Sequence, residues 1–481
     1  MTDGPLGNED LAPVPLERRT WRMGSYAALW ISMSACVPTY MLASSLVGGG
    51  MNWWEAVLTI FLGNAIVLVP ILLNADAGTR YGIPFPVLCR ASFGTLGANI
   101  PALLRAFVAC GWFGIQVWIG GEAIHKILGI FFPTMSGGGT GPLGISFSQF
   151  GCFIAFWAVN MGVVYKGIDS IRILLQIKAP LLIALGIVFL IWAYRAAGGF
   201  GPMLSQPSAF DPGQPKSGHF LSFFIPGLTG MVGFWATLSL NIPDFSRYAR
   251  SQRDQVLGQA LGLPLAMAFY SFIGVAVTSA TVVIFGQTIW DPLEVLVRFK
   301  NPVVLIVAML ALCVATLATN IAANVVSPAN DFAHLSPKRI SFRTGGLITG
   351  LIGIAMMPWK LVADPSGYIF TWLVAYSALL GPVGGIMIAD YFVYRRRKLD
   401  VAALYDPDGC YRFSGGWSLA AIAAFLMAAL PSLPGFLAQV GAVNPAHLAP
   451  IFAQIYSFAW FSGFAIAFVA YLLFRKIGPN V

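Results

Sequence analysis

Trp112 and Gln116 stand four residues apart inside an apolar stretch, so on a helix they share one face. One presents a broad π surface. The other presents a neutral amide with two donors and an acceptor. The pair suits a flat heterocycle carrying N–H and C=O groups. It suits equally a packed tryptophan beside a glutamine that bonds a neighbouring helix, a contact that stabilises membrane bundles modestly. The spacing leaves both readings open. Asn320 and Asn324, with Thr316 one turn before them, also place neutral polar groups on one face of an apolar run. Such groups are costly in a bilayer unless they pair or meet water, so they mark either a hydrogen-bonded seam or a cavity wall. Glu122 and Arg105 are the ionisable residues deepest in apolar runs. Glu122 either pairs with Lys126, one turn on, or carries a proton in a low-dielectric setting.

No constellation for covalent or metal chemistry stands out. The four histidines, His125, His219, His334 and His447, are scattered, and no two have metal-ligand spacing. The cysteines (Cys36, Cys89, Cys110, Cys152, Cys313, Cys410) form no paired metal motif and mostly lie in apolar runs, as small core residues do. Gly48-Gly49-Gly50 and Gly137-Gly138-Gly139 lack the strand-to-helix context of a phosphate loop and read as turns. An enzyme is not expected, nor a cofactor beyond a coupling ion.

The elements that position these residues must be membrane helices. Of 481 residues, 57% are hydrophobic and only 10% charged, with a mean hydropathy of +0.76. Lipid solvates such a surface and water does not. About twenty apolar residues cross the hydrocarbon core as a helix. Runs of that order begin near Tyr26, Trp54, Ile100, Ile145, Ile173, Phe220, Leu261, Val303, Gly345, Gly367, Trp417 and Ile451, giving about twelve spans. The run 345–357 is the weakest, because Pro358 and Lys360 cut it short.

Basic residues mark alternate loops. Arg18, Arg19 and Arg22 precede the first run, and Arg80 and Arg90 follow the second. Lys166 and Arg172, then Arg247, Arg250 and Arg253, then Lys338, Arg339 and Arg343, then 395–398 continue the series to Arg475 and Lys476. The other loops carry scattered charges such as Lys216, Arg298 and Lys300. This predicts an inner (cell) membrane protein with both termini cytoplasmic. The net charge of +9 then reflects orientation, not nucleic-acid binding. The polar, proline-bearing segment 1–21 lacks the layout of a signal peptide and is expected to be disordered or surface-lying.

Two of the runs share their punctuation. Trp30 and Trp235 each precede a proline, Pro38 and Pro243, by eight residues, and Tyr40 and Phe245 follow two residues later. Proline removes a donor and clashes with the preceding turn, so both helices are expected to break or kink there. Freed backbone groups are tolerated in lipid only where protein, water or a ligand satisfies them. Paired broken helices in corresponding halves point to the binding site of a secondary transporter. These are the first and sixth runs, five apart and therefore oppositely oriented, which predicts an inverted five-plus-five repeat. The expected division is a tail at 1–25, repeats at 26–195 and 220–394, and a loop with the last two helices and a short tail at 395–481.

Several stretches resemble, in order, the first nucleobase–cation symporter family. They are Trp112-Phe113-Gly114-Ile115-Gln116, Asn241-Ile242-Pro243-Asp244-Phe245-Ser246-Arg247-Tyr248, Ala322-Ala323-Asn324-Val325-Val326-Ser327-Pro328, Gly381-Pro382 and Ile386-Met387-Ile388-Ala389-Asp390-Tyr391-Phe392. The resemblance runs from about position 8 to 411. It is strongest toward allantoin permease-like members, through Arg19-Thr20-Trp21, Pro38-Thr39-Tyr40 and Gly82-Ile83-Pro84-Phe85-Pro86-Val87.

The resemblance implies an all-α LeuT-like bundle of five plus five helices with two more at the C-terminus. It implies a ring held between Trp112 and Trp235, with Phe234 beside the latter and Gln116 and Asn324 bonding its edge. Cys36 stands where relatives carry Asn or Gln, so one contact to the ring is weaker. Ala318 stands where a sodium-coupled hydantoin transporter has a serine ligand. That leaves Ser32, Ala35, Ala315 and the Thr319 hydroxyl as sodium candidates. Hard cations need several oxygens, so the loss tips the balance toward a proton, with Glu122 as its carrier. The implied function is secondary active uptake of a nucleobase or cyclic ureide (uracil, allantoin, hydantoin), by a monomer in the bilayer, coupled to Na+ or H+. A channel, a receptor and a membrane-embedded enzyme are the alternatives.

Overall fold

The computed structural model describes residues 4–477 other than 8, 10, 138, 167, 300, 337 and 338, and the regular elements among them are all helical. Gly138, Lys300, Lys338 and position 8 of the sequence reading lie outside the described residues. Span one is a pair, α1 (Met23–Ser34) and α2 (Val37–Gly48), bent by 60°. Then come α3 (Trp53–Tyr81), the short α4 (Phe85–Phe93), α5 (Asn99–Phe131), α6 (Phe147–Lys166), α7 (Ile168–Ala196) and the connector α8 (Phe200–Leu204). Span six is broken into α9 (Phe220–Phe234), α10 (Ala236–Asn241) and α11 (Pro243–Ser246). It is followed by α12 (Gln252–Phe285), the connector α13 (Pro292–Val297), α14 (Pro302–Asn324) with α15 (Val326–Leu335), α16 (Phe342–Ala355) and α17 (Pro358–Leu361). Span ten is α18 (Val374–Ile388), flanked by π-helical turns Gly367–Leu373 and Ala389–Tyr394. The chain ends with α19 (Leu419–Ala429), α20 (Leu433–Gln439), α21 (Pro450–Ser457) and α22 (Ala459–Ile477).

Among the described residues, 8 of these helices are long and apolar enough to cross a bilayer, or 9 with the bent α1–α2 pair. The other expected spans are α7, the broken α9–α10 and the short α16. α16 ends early as its sequence predicts. Met357 takes a left-handed conformation at φ 48, and Pro358 opens α17.

The main helix breaks lie upstream of the prolines, and only a second interruption in span six adjoins one. Cys36 is extended (φ −153, ψ 159) and caps α2, whose first turn holds Pro38. Proline is tolerated there because its missing N–H has no intrahelical partner to lose. In span six the first break is at Trp235 (φ −105, ψ 9), far upstream of Pro243, and a second interruption at Ile242 adjoins that proline. The first lies where span six packs closely on span ten. Gly233 lies so close to span ten that a Cβ there would sit 2.2 Å from Ser377 Oγ and 2.9 Å from the Leu373 carbonyl.

Packing sorts the spans into two groups: α1, α3, α9–α11 and α12 pack on one another, as do α5, α6 and α14–α16. In the first group Gly258 and Gly262 bring α12 against α1. A Cβ at Gly258 would lie 2.4 Å from the Met23 carbonyl, and one at Gly262 3.0 Å from the Trp30 Cβ. Small residues four apart permit this approach in membrane helices. The last helices, α19 and α22, pack on α18.

The N-terminal tail is surface-lying, and its described part is docked. Leu11 and Val14 are buried. Tyr405 donates to the Leu11 carbonyl at 2.6 Å, the Val14 N–H to Gly82 at 2.9 Å, and the Arg19 guanidinium to the Val14 and Thr79 carbonyls at 2.9 and 3.0 Å. Arg90 of α4, 1% exposed, donates to the carbonyls of Leu6 (2.8 Å) and Leu404 (3.0 Å), and burial pulls its guanidinium down to about 10. Asp390 accepts from Arg395 and Tyr471, both at 2.7 Å. Asp76 accepts from Tyr391 at 2.9 Å and pairs with Arg397. Together they fasten the end of span ten to α3, α22 and the loop that follows.

Candidate functional site

The breaks at Cys36 and Trp235 face α5 and α14 across a cavity of about 50 Å³. All six residues expected to contact substrate line it: Cys36, Trp112, Gln116, Phe234, Trp235 and Asn324. Thr319, expected for the ion, lines it too. The wall is completed by residues not singled out from sequence, among them Met33, Thr237, Leu238 and Ala323. Thr237 follows the span-six break by two residues, and that position was the available clue. The others are small or apolar and give no signal in sequence.

Aromatic contacts set the shape. Trp112 meets Phe234 edge to face at 5.2 Å and Trp372 at 5.9 Å. Trp235 meets Phe234 at 5.0 Å and Trp30 at 5.1 Å, both close to perpendicular. Phe234 thus touches both indoles, each through an edge contact. Such contacts contribute about 0.5–1.5 kcal/mol beyond burial.

The polar groups are arranged unequally. Gln116 Oε1 and Trp235 Nε1 are buried with no partner among the described residues. Buried polar atoms nearly always have partners, so this acceptor and this donor, on two side chains that line a common cavity, are left for a molecule bound there to satisfy. Asn324 is held from behind. Its amide nitrogen donates to Asn320 Oδ1 at 3.1 Å, Asn320 donates to Asn160 Oδ1 at 3.0 Å, and Asn160 donates to the Phe156 carbonyl at 2.8 Å. This leaves the Asn324 carbonyl oxygen for the cavity. The asparagine pattern is therefore both a seam and a wall, divided between its two members. The Cys36 thiol lies 3.2 Å from the Thr39 hydroxyl.

The coupling candidates are less concentrated. The Thr319 hydroxyl donates to the Ala315 carbonyl at 2.8 Å, so these two oxygens already interact. Ser32 is half-buried on α1, and Ala35 lies at the break. Glu122 lies six residues beyond Gln116, about 9 Å of helix rise; its carboxylate meets Gln149, and Oε1 is buried with no partner among the described residues. The expected pairing of Glu122 with Lys126 is not found. Lys126 reaches Glu294 at 2.5 Å instead, because α13 brings that carboxylate alongside α5.

A second cavity, about 250 Å³, shares Met33, Leu238 and Ala323 with the first and opens on the arginine-rich side. Arg105, Asn241, Asp244 and Ser327 line it. Arg105 pairs with Asp331 at 3.3 Å, each side chain 1% exposed, joining α5 to α15. Asp244 accepts from the Phe85 N–H at 2.9 Å and from Ser327 at 3.2 Å, tying the end of span six to α4 and α15. Asp331 was missed, since nothing local marks it as the partner of a residue 226 positions away.

Comparison with known proteins bears on this geometry. The sequence profile described as permease for cytosine/purines, uracil, thiamine, allantoin matches residues 13–463. A purine-uracil permease of Arabidopsis thaliana is 45% identical over 99% of this chain and 79% of its own length. An allantoin permease of Bacillus subtilis is 40% identical, covering 98% of this chain and 94% of its own. The inward-facing structure of Mhp1 superposes with a TM-score of 0.79 at 25% identity, covering 99% of this chain and 95% of that one.

Proposed function

This chain belongs to the family of permeases for cytosine/purines, uracil, thiamine and allantoin, and from that premise we propose that it imports a cyclic ureide or nucleobase by cation symport with alternating access. It is a multi-pass membrane transporter and not an enzyme. The observation that carries the substrate class is the buried acceptor of Gln116 and buried donor of Trp235, both without a partner among the described residues, on side chains that line one aromatic-walled cavity. A flat ring with N–H and C=O groups satisfies both and offers its faces to the indoles. The adjoining arginine-side cavity supplies one route out, and two groups of packed spans supply elements that can rock about the site. The alternation of basic loops supports cytoplasmic termini in the cell membrane, and a monomer suffices, because one chain supplies the whole lining of the cavity.

The polar edge gives a direct test. Gln116→Leu and Asn324→Leu should each weaken ureide binding by about 1–3 kcal/mol, because each strands a polar group of the ring. Titration calorimetry on purified protein measures this, and full affinity in either variant removes that residue from the site. Cys36→Asn places an amide at the span-one break and should change the order of preference among allantoin, uracil and hydantoin. An unchanged order places Cys36 outside the contact set.

For the driving ion we propose a proton held by Glu122. A sodium ion would draw on Ser32, the carbonyls of Ala35 and Ala315, and Thr319. Ala318 contributes no hydroxyl to that set, and Thr319 already bonds Ala315. A hard cation wants more oxygens than this. Asp291, in the loop before α13, is a second candidate because burial pushes its carboxyl up to about 6. Uptake into proteoliposomes under separate sodium and pH gradients should respond to pH. Glu122→Gln should lose that response and Asp291→Asn should keep it. Stimulation by sodium alone, lost in Thr319→Ala and kept in Glu122→Gln, would overturn the proton assignment.

A further inference from the structure

Three glutamines on α12, none of them at the cavity, form a continuous ladder that starts behind Trp235. Trp30 is fully buried and meets the Trp235 ring at 5.1 Å and 89°. Its indole N–H donates to Gln259 Oε1 at 3.3 Å. Gln259 donates to Gln255 at 2.6 Å, Gln255 donates to Gln252 at 3.0 Å, and Gln252 donates to the Asp76 backbone carbonyl at 2.9 Å. All four donors point the same way. Gln255 and Gln259 are 1% and 0% exposed, so neither is an incidental surface contact.

The two ends are not arbitrary. One end is the ring behind a cavity-wall indole. The other is Asp76, whose carboxylate holds Tyr391 and Arg397 at the end of span ten. The ladder is possible because Gly258 and Gly262 flank Gln259 and admit α1 closely enough for Trp30 to reach it. Without an acceptor at Gln259 the Trp30 N–H would be buried and unpaired, which costs more than a missing bond at a surface. The indole would then turn, and an edge contact fixed at 89° would be lost. Trp30, Gln259 and Asp76 all belong to the packed group of α1, α3, α9–α11 and α12, so the ladder keeps Trp235 in register with that group.

We propose that this ladder, acting through Trp30, holds the Trp235 ring at the angle at which it receives substrate, and that Gln259 is a positioning and specificity-determining residue although it touches no substrate. The inference rests on the reading of the cavity as the substrate site. The test is equilibrium binding of allantoin, uracil and hydantoin to the purified full chain, with melting temperature recorded for every variant. Gln259→Leu should weaken binding about tenfold and unequally across the three compounds, since a ring free to turn discriminates shapes poorly. Gln259→Glu, with a protonated carboxyl offering the same acceptor and donor, should return affinity to within about threefold of the parent. Equal impairment in the two variants, tracking their melting temperatures, would reduce Gln259 to a structural role and overturn the proposal. So would full affinity in Gln259→Leu alongside lost binding in Trp235→Ala. If Trp235→Ala itself binds normally, it is the substrate-site reading that fails.

Discussion

Replacing Trp112 or Trp235 by alanine should abolish high-affinity binding and uptake in protein that still inserts in the membrane. Both indoles line the cavity, and Phe234 makes an edge contact with each. Central aromatic anchors typically cost about 2 kcal/mol or more when truncated, some thirtyfold in affinity. Packing is lost as well, because Trp112 also leans on Trp372 and Tyr376. Phenylalanine variants separate the two effects. Trp112→Phe keeps a ring and should retain part of the affinity. Trp235→Phe removes chiefly the unpartnered Nε1 donor, so its deficit should be greatest for ligands whose carbonyl uses it. Calorimetry on the purified variants decides this, and near-parental affinity in either alanine variant would place the ring elsewhere.

The largest expected loss of stability comes from Arg105→Leu. Arg105 and Asp331 are an almost wholly buried pair joining α5 to α15. Removing one partner leaves a buried charge uncompensated, at about 3–5 kcal/mol, whereas replacing both with apolar residues is often neutral. Arg105→Leu should therefore melt well below the parent, and Arg105→Leu combined with Asp331→Leu should recover most of the difference. Similar melting temperatures for the single and double variants would show that the two groups are not coupled. The pair also borders the cavity on the arginine-rich side, so transport in the stable double variant reports whether the charges serve more than folding.

What was legible in sequence was what is local. Trp112 with Gln116, and Asn320 with Asn324, declare a common face through four-residue spacing, and each pair reaches one cavity or its backing seam. Trp30 and Trp235 were marked by their spacing to Pro38 and Pro243, while Cys36 and the substrate role of Trp235 came from the family resemblance, and the prolines did not fix where the main breaks fall. Pro38 sits harmlessly in a first turn, and the break at Trp235 lies next to the close contact between Gly233 and span ten. Nothing local could show that contact. The same limit applies to Asp331, to Glu294 displacing Glu122 as the partner of Lys126, and to the glutamines of α12, which look like a polar helix edge until Trp30 is packed against them. The docked tail escaped for another reason. Leu11 and Val14 are too few and too irregularly spaced to form a periodic apolar face, though both are buried.

If this cavity carries a cyclic ureide or nucleobase across the membrane, counterflow detects it. Proteoliposomes of the purified chain are loaded with unlabelled allantoin, uracil or hydantoin and diluted into a trace of the same labelled compound. Label should accumulate transiently above its equilibrium level for at least one of the three, saturably and not in Trp112→Ala. Label that only equilibrates without saturation would indicate a channel, and binding without any counterflow would indicate a receptor; either result would rule out transport through this cavity by alternating access.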